Sequence, residues 1–153
     1  MYKQRIKRKE VQLMPEKYLE NCLYFTVNKL SRIITKMAEE SFRPTGISPT
    51  HGFLMMLVNN KPGISQSELA EELHMTPSTI TRFVDKLVVK GLAERKVQGK
   101  MSHIHPTQAG IEIQTELEKA WKNLYRTYSD ILGEEEGKAL TKATHLAAGQ
   151  LDS

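Results

Sequence analysis

The chain has 153 residues, of which 39% are apolar, a formal net charge of +4 at pH 7 and a single cysteine, Cys22. This size fits one domain with helical extensions, and the apolar share is sufficient for a core. The composition excludes an intramolecular disulfide and, because no run of about 18 apolar residues occurs, it predicts no transmembrane helix. A lone thiol and an N-terminus without a secretory apolar stretch predict a cytoplasmic protein.

The charge is distributed unevenly. Residues 1–14 hold five basic residues and one acidic residue, and the remainder of the chain is neutral in sum. We interpret residues 1–14 as a basic, flexible N-terminal arm. Residues 82–100 hold six basic and two acidic residues, which predicts a local positive surface for an anionic partner.

The first third of the chain is predicted to be helical. Apolar residues recur every three or four positions over residues 15–43, which is typical of one long amphipathic helix packed on its own core or on a partner's helix. Ser48 followed by Pro49 predicts the start of a second, largely buried helix, which ends at the sequence NNKPG.

Two shorter helices separated by a turn follow. Ser65 and Glu68 have the spacing of a capping box, so we expect a helix to begin at Ser65. After the turn, Thr76 caps the next helix, Pro77 opens it and Gly91 follows its end. The side of this helix that is predicted to face the core consists of Ile80, Phe83, Val84, Leu87 and Val88.

The pattern then changes to a period of two. Residues 92–97 and 101–104 predict a two-stranded hairpin with Gly99 at its tip. Thr107 caps a long helix that reaches residue 132, and a last helix is predicted over about residues 134–151. The predicted fold is mainly α, a single domain over residues 15–153. It combines a winged helix-turn-helix with a two-stranded wing, about residues 48–106, with long flanking helices, about residues 15–43 and 107–151.

The helix that begins at Pro77 has an unusual outer face. With its apolar residues pointing inward, the opposite side carries small hydroxyls followed by cations: Ser78, Thr79, Thr81, Arg82 and Lys86. Small residues allow the backbone to approach a DNA major groove, hydroxyls donate to bases or phosphates, and an arginine bonds a guanine edge through two N–H groups. The pattern therefore predicts a recognition helix, whereas the alternative is that Ser78 and Thr79 only cap it.

The hairpin favours the same function. Gly99 permits a tight tip that fits a narrow groove, and Arg95, Lys96 and Lys100 are placed to meet the DNA backbone or minor groove. Ser65 and Gln66 begin the preceding helix, where they are placed to donate to a phosphate, although Ser65 is equally well explained as a plain cap. The complete predicted DNA-binding set is Ser65, Gln66, Thr76, Ser78, Thr79, Thr81, Arg82, Lys86, Arg95, Lys96 and Lys100.

The stretch SELAEELHMTPSTITRFVDKLVVKGLAER, followed by HPTQAG, resembles the MarR family (multiple antibiotic resistance regulators). The resemblance covers residues 67–110 well, and the element order agrees over nearly the whole chain. It implies a homodimer built from the first and the last two helices. Such a dimer binds a pseudo-palindromic site on double-stranded DNA, usually as a repressor released by a small lipophilic or aromatic effector. It also implies recognition-helix contacts from Ser78, Thr79 and Arg82, a phosphate contact from Lys86 and a wing contact at or near Lys100.

The wing departs from the family pattern. Its common Asp-x-Arg signature is replaced by the shorter KVQGKMS, and lysine does not reproduce the planar fork of arginine. We therefore expect a weaker or less selective wing contact. The stretch KVQGKMS contains neither Asp nor Arg, so the sequence leaves open whether an Asp–Arg pair fixes the wing.

Other candidate sites have less support. One branch of the family senses peroxides through a cysteine on the first helix, but that position falls on Tyr24, so a redox regulator using Cys22 is kept only as an alternative. His103 and His105 share a strand face without further ligands, so neither a metal nor a cofactor is predicted. Six residues are expected in the core and would alternatively line an effector pocket: Met37, Phe53, Met55, Met56, Tyr125 and Tyr128.

The sequence also bears on two other classes of function, enzymes and protein-interaction modules. The sequence contains none of the short zinc-protease, nucleotide-binding or serine-hydrolase motifs, so we do not expect an enzyme. A winged-helix protein-interaction module without specific DNA binding is the remaining alternative. Such modules often lose the cations that Arg82, Lys86 and Lys90 supply here.

Overall fold

A computed structural model describes residues 15–153, and the predicted basic arm over residues 1–14 lies outside the described residues. The elements in chain order are α1 (Pro15–Asn21), α2 (Leu23–Phe42), a 3₁₀ turn (Arg43–Thr45), α3 (Pro49–Asn60), β1 (Ile64–Ser65), α4 (Gln66–Leu73), α5 (Pro77–Val89), β2 (Ala93–Gln98), β3 (Met101–Pro106), α6 (Gln108–Glu112), α7 (Gln114–Leu132) and α8 (Glu134–Leu151). The chain divides into two units, residues 1–36 and residues 37–153.

The predicted first helix is interrupted at Cys22, so one helix over residues 15–43 is corrected to α1 and α2, the latter ending at Phe42. Helical hydrogen bonds still flank the interruption, from Cys22 N–H to the Tyr18 carbonyl (3.0 Å) and from Thr26 N–H to the Cys22 carbonyl (3.1 Å). The Thr26 hydroxyl donates to the carbonyls of Cys22 and Leu23, each at 3.2 Å. Such back-bonding by threonine bends helices, which accounts for the irregularity.

The apolar side chains of this first unit remain largely exposed. Leu23 is 63% exposed and Leu19 is 54% exposed. The full set of large exposed apolar residues in this unit is Tyr18, Leu19, Leu23, Tyr24, Phe25, Val27 and Ile33. An exposed apolar surface of this extent is characteristic of an interaction surface.

The core of the second unit lies between its helices and a small sheet. Its fully buried side chains come from the end of α2 and from α3, α4, α5, β3 and α7. They are Phe42, Leu54, Met55, Val58, Leu69, Ile80, Val84, Leu87, Ile104 and Leu117. The inward side predicted for α5 is confirmed at Ile80, Val84 and Leu87. Phe83 is only half-buried and Val88 is 37% exposed, so Val88 was wrongly placed in the core.

The sheet has three strands in the order β1–β3–β2, all antiparallel. The predicted hairpin is present as β2 and β3, shifted to Ala93–Gln98 and Met101–Pro106. The additional strand β1 pairs Ile64 with Ile104 of β3. It has only two residues and no alternating pattern of its own, so the sequence did not predict it. Its effect is to attach the base of the wing to the start of α4.

A tight junction joins the end of α5 to the start of α6. Gly91, with φ of +72°, turns the chain at the end of α5, and Leu92 N–H donates to the Leu87 carbonyl at 2.9 Å. The Thr107 hydroxyl donates to the Gly91 carbonyl (2.6 Å) and accepts from Gly110 N–H (3.1 Å), while Thr107 N–H donates to the Leu92 carbonyl (3.1 Å). These bonds fix α6 against the end of α5.

The predicted long helix after Thr107 is two helices, because α6 ends at Glu112 and α7 begins at Gln114. Asn59, at the end of α3, donates through its Nδ2 to the Gly110 carbonyl and to Gln114 Oε1, both at 2.9 Å. Ile113 itself keeps helical dihedral angles (φ −71°, ψ −13°), and the helical hydrogen bonds from Ile113 N–H to the Ala109 carbonyl and from Leu117 N–H to the Ile113 carbonyl are present. The two helices are therefore nearly continuous, and Asn59 connects the point where they meet to the end of α3.

The last helix, α8, covers residues 134–151 as predicted. Over residues 15–153, each helix is too short or too polar to cross a bilayer.

Replacing Gly110 by alanine is expected to lower the free energy of unfolding strongly. An added Cβ would lie 2.0 Å from the Leu92 carbonyl oxygen, which is backbone and cannot move aside. Overpacking in a core costs about 1–3 kcal/mol or more. Gly149→Ala is the matched control, because that glycine lies in α8 with nothing within 4 Å of the added Cβ. Chemical denaturation should show the control unchanged or slightly stabilised, and equal behaviour of the two variants would contradict the junction.

Candidate nucleic-acid interface

The start of α5 presents a cluster of hydroxyls. Thr76 Oγ1 accepts from Thr79 N–H at 3.3 Å, as predicted for a cap, and lies 3.2 Å from Ser78 Oγ and 2.9 Å from Thr79 Oγ1. Thr76 and Ser78 are exposed and Thr79 is half-buried. The free N–H groups and positive dipole of a helix N-terminus favour an anion nearby. This end of the helix is therefore suited to meet a phosphate backbone or a base edge.

Two cations extend the same surface. Arg82 and Lys86 are exposed on α5, one turn apart. Over residues 15–153, neither forms a side-chain hydrogen bond or an ion pair. Asp85, the acidic residue between them, is instead bound by Arg95 at 2.6 Å. The positive charge of Arg82 and Lys86 is therefore available to a ligand.

Arg95 is held inside a network between the wing and the two helices. Its Nη2 donates to Asp85 Oδ1 (2.6 Å) and its Nε donates to Gln66 Oε1 (2.8 Å). Gln66 Nε2 in turn donates to Thr81 Oγ1 (3.1 Å), whose hydroxyl donates to the Pro77 carbonyl (3.0 Å). The structure thus places Arg95, Gln66 and Thr81, three residues of the predicted DNA-binding set, in internal hydrogen bonds. The Asp–Arg pair left open by the sequence is present as Asp85–Arg95.

Ser65 serves as the cap of α4. It is only 4% exposed. Its hydroxyl accepts from Glu68 N–H at 3.1 Å, and the Glu68 carboxylate accepts from Ser65 N–H at 3.1 Å. Of the two interpretations of Ser65, the structure supports the helix cap.

The wing carries the remaining predicted cations. Lys96 and Lys100 are exposed, with Lys100 directly after Gly99 at the hairpin tip, where φ is +62°. Because side chains alternate along a strand, Lys96 lies on the face of β2 opposite to Arg95. A hollow of about 180 Å³ between the wing and the start of α4 is lined by Lys100, Ser67 and Ser102, together with Ser65, Gln66, Pro77 and Met101. The sequence analysis missed Ser67 and Ser102, which become neighbours only through strand pairing.

The two histidines of β3 contact the loop before β1. His103 Nδ1 lies 2.9 Å from the Gly63 carbonyl oxygen, and an added Cβ at Gly63 would lie 3.1 Å from His105 Cε1. Over residues 15–153, no group of three or more His, Cys, Asp or Glu residues is arranged to hold a metal ion. The histidines are explained by these packing contacts.

The residues considered for an effector pocket lie in different places. Met55 is fully buried in the core, and Phe53 packs against Phe42 with ring centroids 5.5 Å apart. Met56 lines a surface groove beside α6. Tyr125 lines a separate hollow on α7 and contacts Tyr128 edge to face at 5.5 Å.

One titratable side chain, that of His51, lies against the inner side of α5. His51 is 7% exposed, its ring is 4.6 Å from that of Phe83, and its Nδ1 lies 2.5 Å from Ser48 Oγ. Burial, with a smaller effect of the positive charges of Lys86 and Lys90, holds the pKa of His51 below its ordinary value. A neutral His51 is therefore part of the folded state.

Comparison with known proteins agrees with this geometry. Residues 47–97, from the end of the loop before α3 into the wing, match the model of the MarR family. The matched segment contains α3, β1, α4, α5 and most of β2, and it ends before β3. No curated protein sequence matches the chain.

Solved structures share the MarR fold with most of the chain. CouR from Rhodococcus jostii RHA1 bound to p-coumaroyl-CoA has 18% identity and a TM-score of 0.73, covering 85% of this chain and 94% of that chain. CouR bound to a 23-mer DNA duplex has 17% identity and a TM-score of 0.79, and the similarity covers 89% of this chain and 99% of that chain. The S. aureus MepR–DNA complex has 19% identity and a TM-score of 0.74, and the similarity covers 84% of this chain and 97% of that chain. These similarities establish the MarR winged-helix fold beyond the matched segment.

Arg95→Ala is expected to destabilise the protein by about 1 kcal/mol, because it removes a half-buried ion pair and the bond to Gln66. Arg82→Ala is the matched control and should change the free energy of unfolding by less than about 0.5 kcal/mol, since Arg82 is exposed. A double-mutant cycle of Arg95→Ala with Asp85→Asn, measured by denaturation, should show coupling. Additive effects would mean that the pair does not hold the wing.

The free energy of unfolding is expected to fall as the pH is lowered through about 6.5, the unfolded value for histidine. The folded-state pKa of His51 is lower, so in this window the unfolded chain binds more protons and acid favours unfolding. The decline due to His51 should end below its folded-state pKa. His51→Gln should remove this slope between pH 5 and 7, an interval chosen around that value. His145→Gln, on the exposed surface of α8, should preserve it, and an unchanged slope in His51→Gln would refute the assignment.

Proposed function

We propose that this protein is a sequence-specific double-stranded DNA-binding transcriptional regulator. It acts as a homodimer that represses a pseudo-palindromic operator and is released by a small effector. The single observation that carries the proposal is the surface of α5, where a hydroxyl cluster precedes two exposed cations that have no acidic partner among residues 15–153, within the segment that matches the MarR family model. The CouR and MepR structures on DNA support it by similarity of fold.

The proposed DNA contacts are of two kinds, contacts to base edges and contacts to the phosphate backbone. Ser78, Thr79 and Arg82 lie on the first two turns of α5 and would read base edges in the major groove. Lys86 would bind a phosphate, and Lys96 and Lys100 would contact the backbone or minor groove. The hydroxyls of Ser67 and Ser102 beside Lys100 are suited to a further phosphate.

Arg95 and Gln66 have a positioning role in this proposal. Their hydrogen bonds link β2, α4 and α5, so the wing and the recognition helix approach DNA as one body. Because these bonds already exist without DNA, little ordering is required on binding.

The homodimer is supported by exposed apolar residues near both ends of the described chain. Leu23 and Tyr24 are more than half exposed on α2. On α7 and α8 the exposed set is Trp121, Ile131, Leu132, Leu140, Leu146 and Leu151. Burying these faces against a second copy would place two recognition helices on one DNA face, about 34 Å apart, as inverted half-sites require.

Binding-site selection from random duplex DNA at near-physiological salt tests the proposal. Enrichment of an inverted repeat with half-sites one helical turn apart would support a dimeric regulator. Weak binding without enrichment would instead favour the protein-interaction module. Whether the regulator represses would follow from placing the selected site downstream of a promoter and measuring transcription with and without the protein.

Arg82→Ala is expected to weaken specific binding by about 1–3 kcal/mol and to relax the base preference near one position of each half-site. Lys86→Ala should weaken binding to all sequences and reduce the salt slope by about 1, because one phosphate contact is lost. Lys119→Ala, which removes the same charge from exposed α7, should leave affinity nearly unchanged. A uniform loss across sequences for Arg82→Ala would show that Arg82 binds phosphate.

A further inference from the structure

His51 is enclosed between the start of α3 and the inner side of α5. The residue is 7% exposed, its Nδ1 lies 2.5 Å from Ser48 Oγ, and its ring centroid lies 4.6 Å from that of Phe83. The second ring nitrogen, Nε2, is buried and has no hydrogen-bond partner within the described chain. One nitrogen of the imidazole is therefore bonded, and the other has no partner.

This enclosure accommodates a neutral imidazole but not an imidazolium. A neutral ring has one N–H group, which Nδ1 can donate to Ser48 Oγ, so that only a lone pair at Nε2 stays unpaired. Protonation adds an N–H group at Nε2 without an acceptor, and it places a positive charge away from water. Both changes cost free energy. Protonation of His51 therefore favours a conformation in which the ring reaches solvent.

The charges around His51 oppose protonation as well. The basic side chains of residues 43–48 and 77–90, the two segments that flank the ring, are Arg43, Arg82, Lys86 and Lys90. Asp85, the acidic residue of these segments, is bound to Arg95, and α3 itself has no other ionisable side chain. His51 is also the third residue of α3, where the positive end of the helix dipole disfavours a cation.

Phe83 connects His51 to the surface that is proposed to bind DNA. It directly follows Arg82 along α5 and precedes Lys86 by about one turn. If the His51 ring turns outward, Phe83 loses a packing partner and this part of α5 is free to shift. The remaining contacts between α3 and α5 are apolar and buried, so they do not respond to a proton and keep the fold together.

We propose that neutral His51 positions the recognition helix, and that protonation of His51 releases the protein from its operator at a pH at which the fold is intact. The inference rests on the proposed function. His51 lies behind α5 and does not reach DNA, so it is a positioning residue. A protonated His51 must lose its proton before the protein binds, so operator affinity falls as the pH is lowered through the range in which His51 titrates.

A bound phosphate has a smaller, opposite effect. It would offset the charge of Lys86 and so favour the imidazolium. Burial, however, lowers the pKa of His51 more than Lys86 and Lys90 do, and the phosphate leaves that burial unchanged. An exposed histidine beside DNA would gain affinity in acid, because an imidazolium attracts phosphate. Of the five histidines, all within residues 15–153, His51 alone is buried, so the sign of the pH effect identifies it.

Fluorescence anisotropy of a labelled, selected operator tests the inference between pH 7.5 and 5.0 at constant ionic strength. The wild-type chain should lose affinity at least about fivefold, with a slope of at most about tenfold per pH unit, as a single proton requires. His51→Gln, which introduces no titratable group, should lack this loss whatever its affinity at pH 7.5. His74→Asn is the matched control and should preserve the loss. His74 is exposed in the turn before α5, and asparagine tolerates its left-handed backbone, where φ is +50°.

Two spectroscopic measurements separate local release from unfolding. Circular dichroism of the wild-type chain should stay native over this range. The midpoint of the affinity loss should coincide with the His51 imidazole titration, followed by NMR in the free wild-type chain, which decides the case if His51→Gln does not fold. Constant or rising affinity in acid, an equal loss in His51→Gln, or a loss that accompanies unfolding would overturn the inference. A chain that binds no operator at pH 7.5 would instead refute the proposed function, and this inference with it.

Discussion

The contact between Gly110 and the Leu92 carbonyl is the constraint on which the arrangement of the second unit depends. The backbone of α6 approaches Leu92, at the end of α5, so closely that no side chain fits between them. Thr107 adds two hydrogen bonds at the same place, donating to the carbonyls of Gly91 and Leu92. Because Thr107 directly follows the wing, this one contact fixes the base of the wing, the end of α5 and the start of the C-terminal helices together.

The cations of this unit perform two different tasks. Arg95 is bound to Asp85 and Gln66, and Lys90 donates to the Gly46 carbonyl at 3.2 Å. Arg82 and Lys86 are exposed and have no such partners among residues 15–153. The paired cations therefore hold the helices and the wing in place, whereas the unpaired cations form the positive surface. Net charge along the sequence cannot separate these tasks, because the partner of each cation is set by the fold.

The features that the sequence predicted correctly are mostly local ones. Helix caps at Ser48, Thr76 and Thr107, the glycine at the end of α5 and the inward stripe of that helix all depend on residues within a few positions of one another. The features that it missed have distant causes. Strand β1 exists through pairing with β3, Asn59 bonds to the point where α6 and α7 meet, and Arg95 finds its partners in α4 and α5. A single sequence carries no signal for such contacts.

The two ends of α6 are held in place by different contacts. At the α5 end, a movement of α6 would have to open a packed backbone contact and the two hydrogen bonds that Thr107 donates to the Gly91 and Leu92 carbonyls. At the α7 end, the Asn59 side chain makes two hydrogen bonds, each contributing about 1 kcal/mol net. The α5 end is therefore the more firmly fixed of the two, because it combines a similar number of hydrogen bonds with a backbone contact that leaves no room for a Cβ.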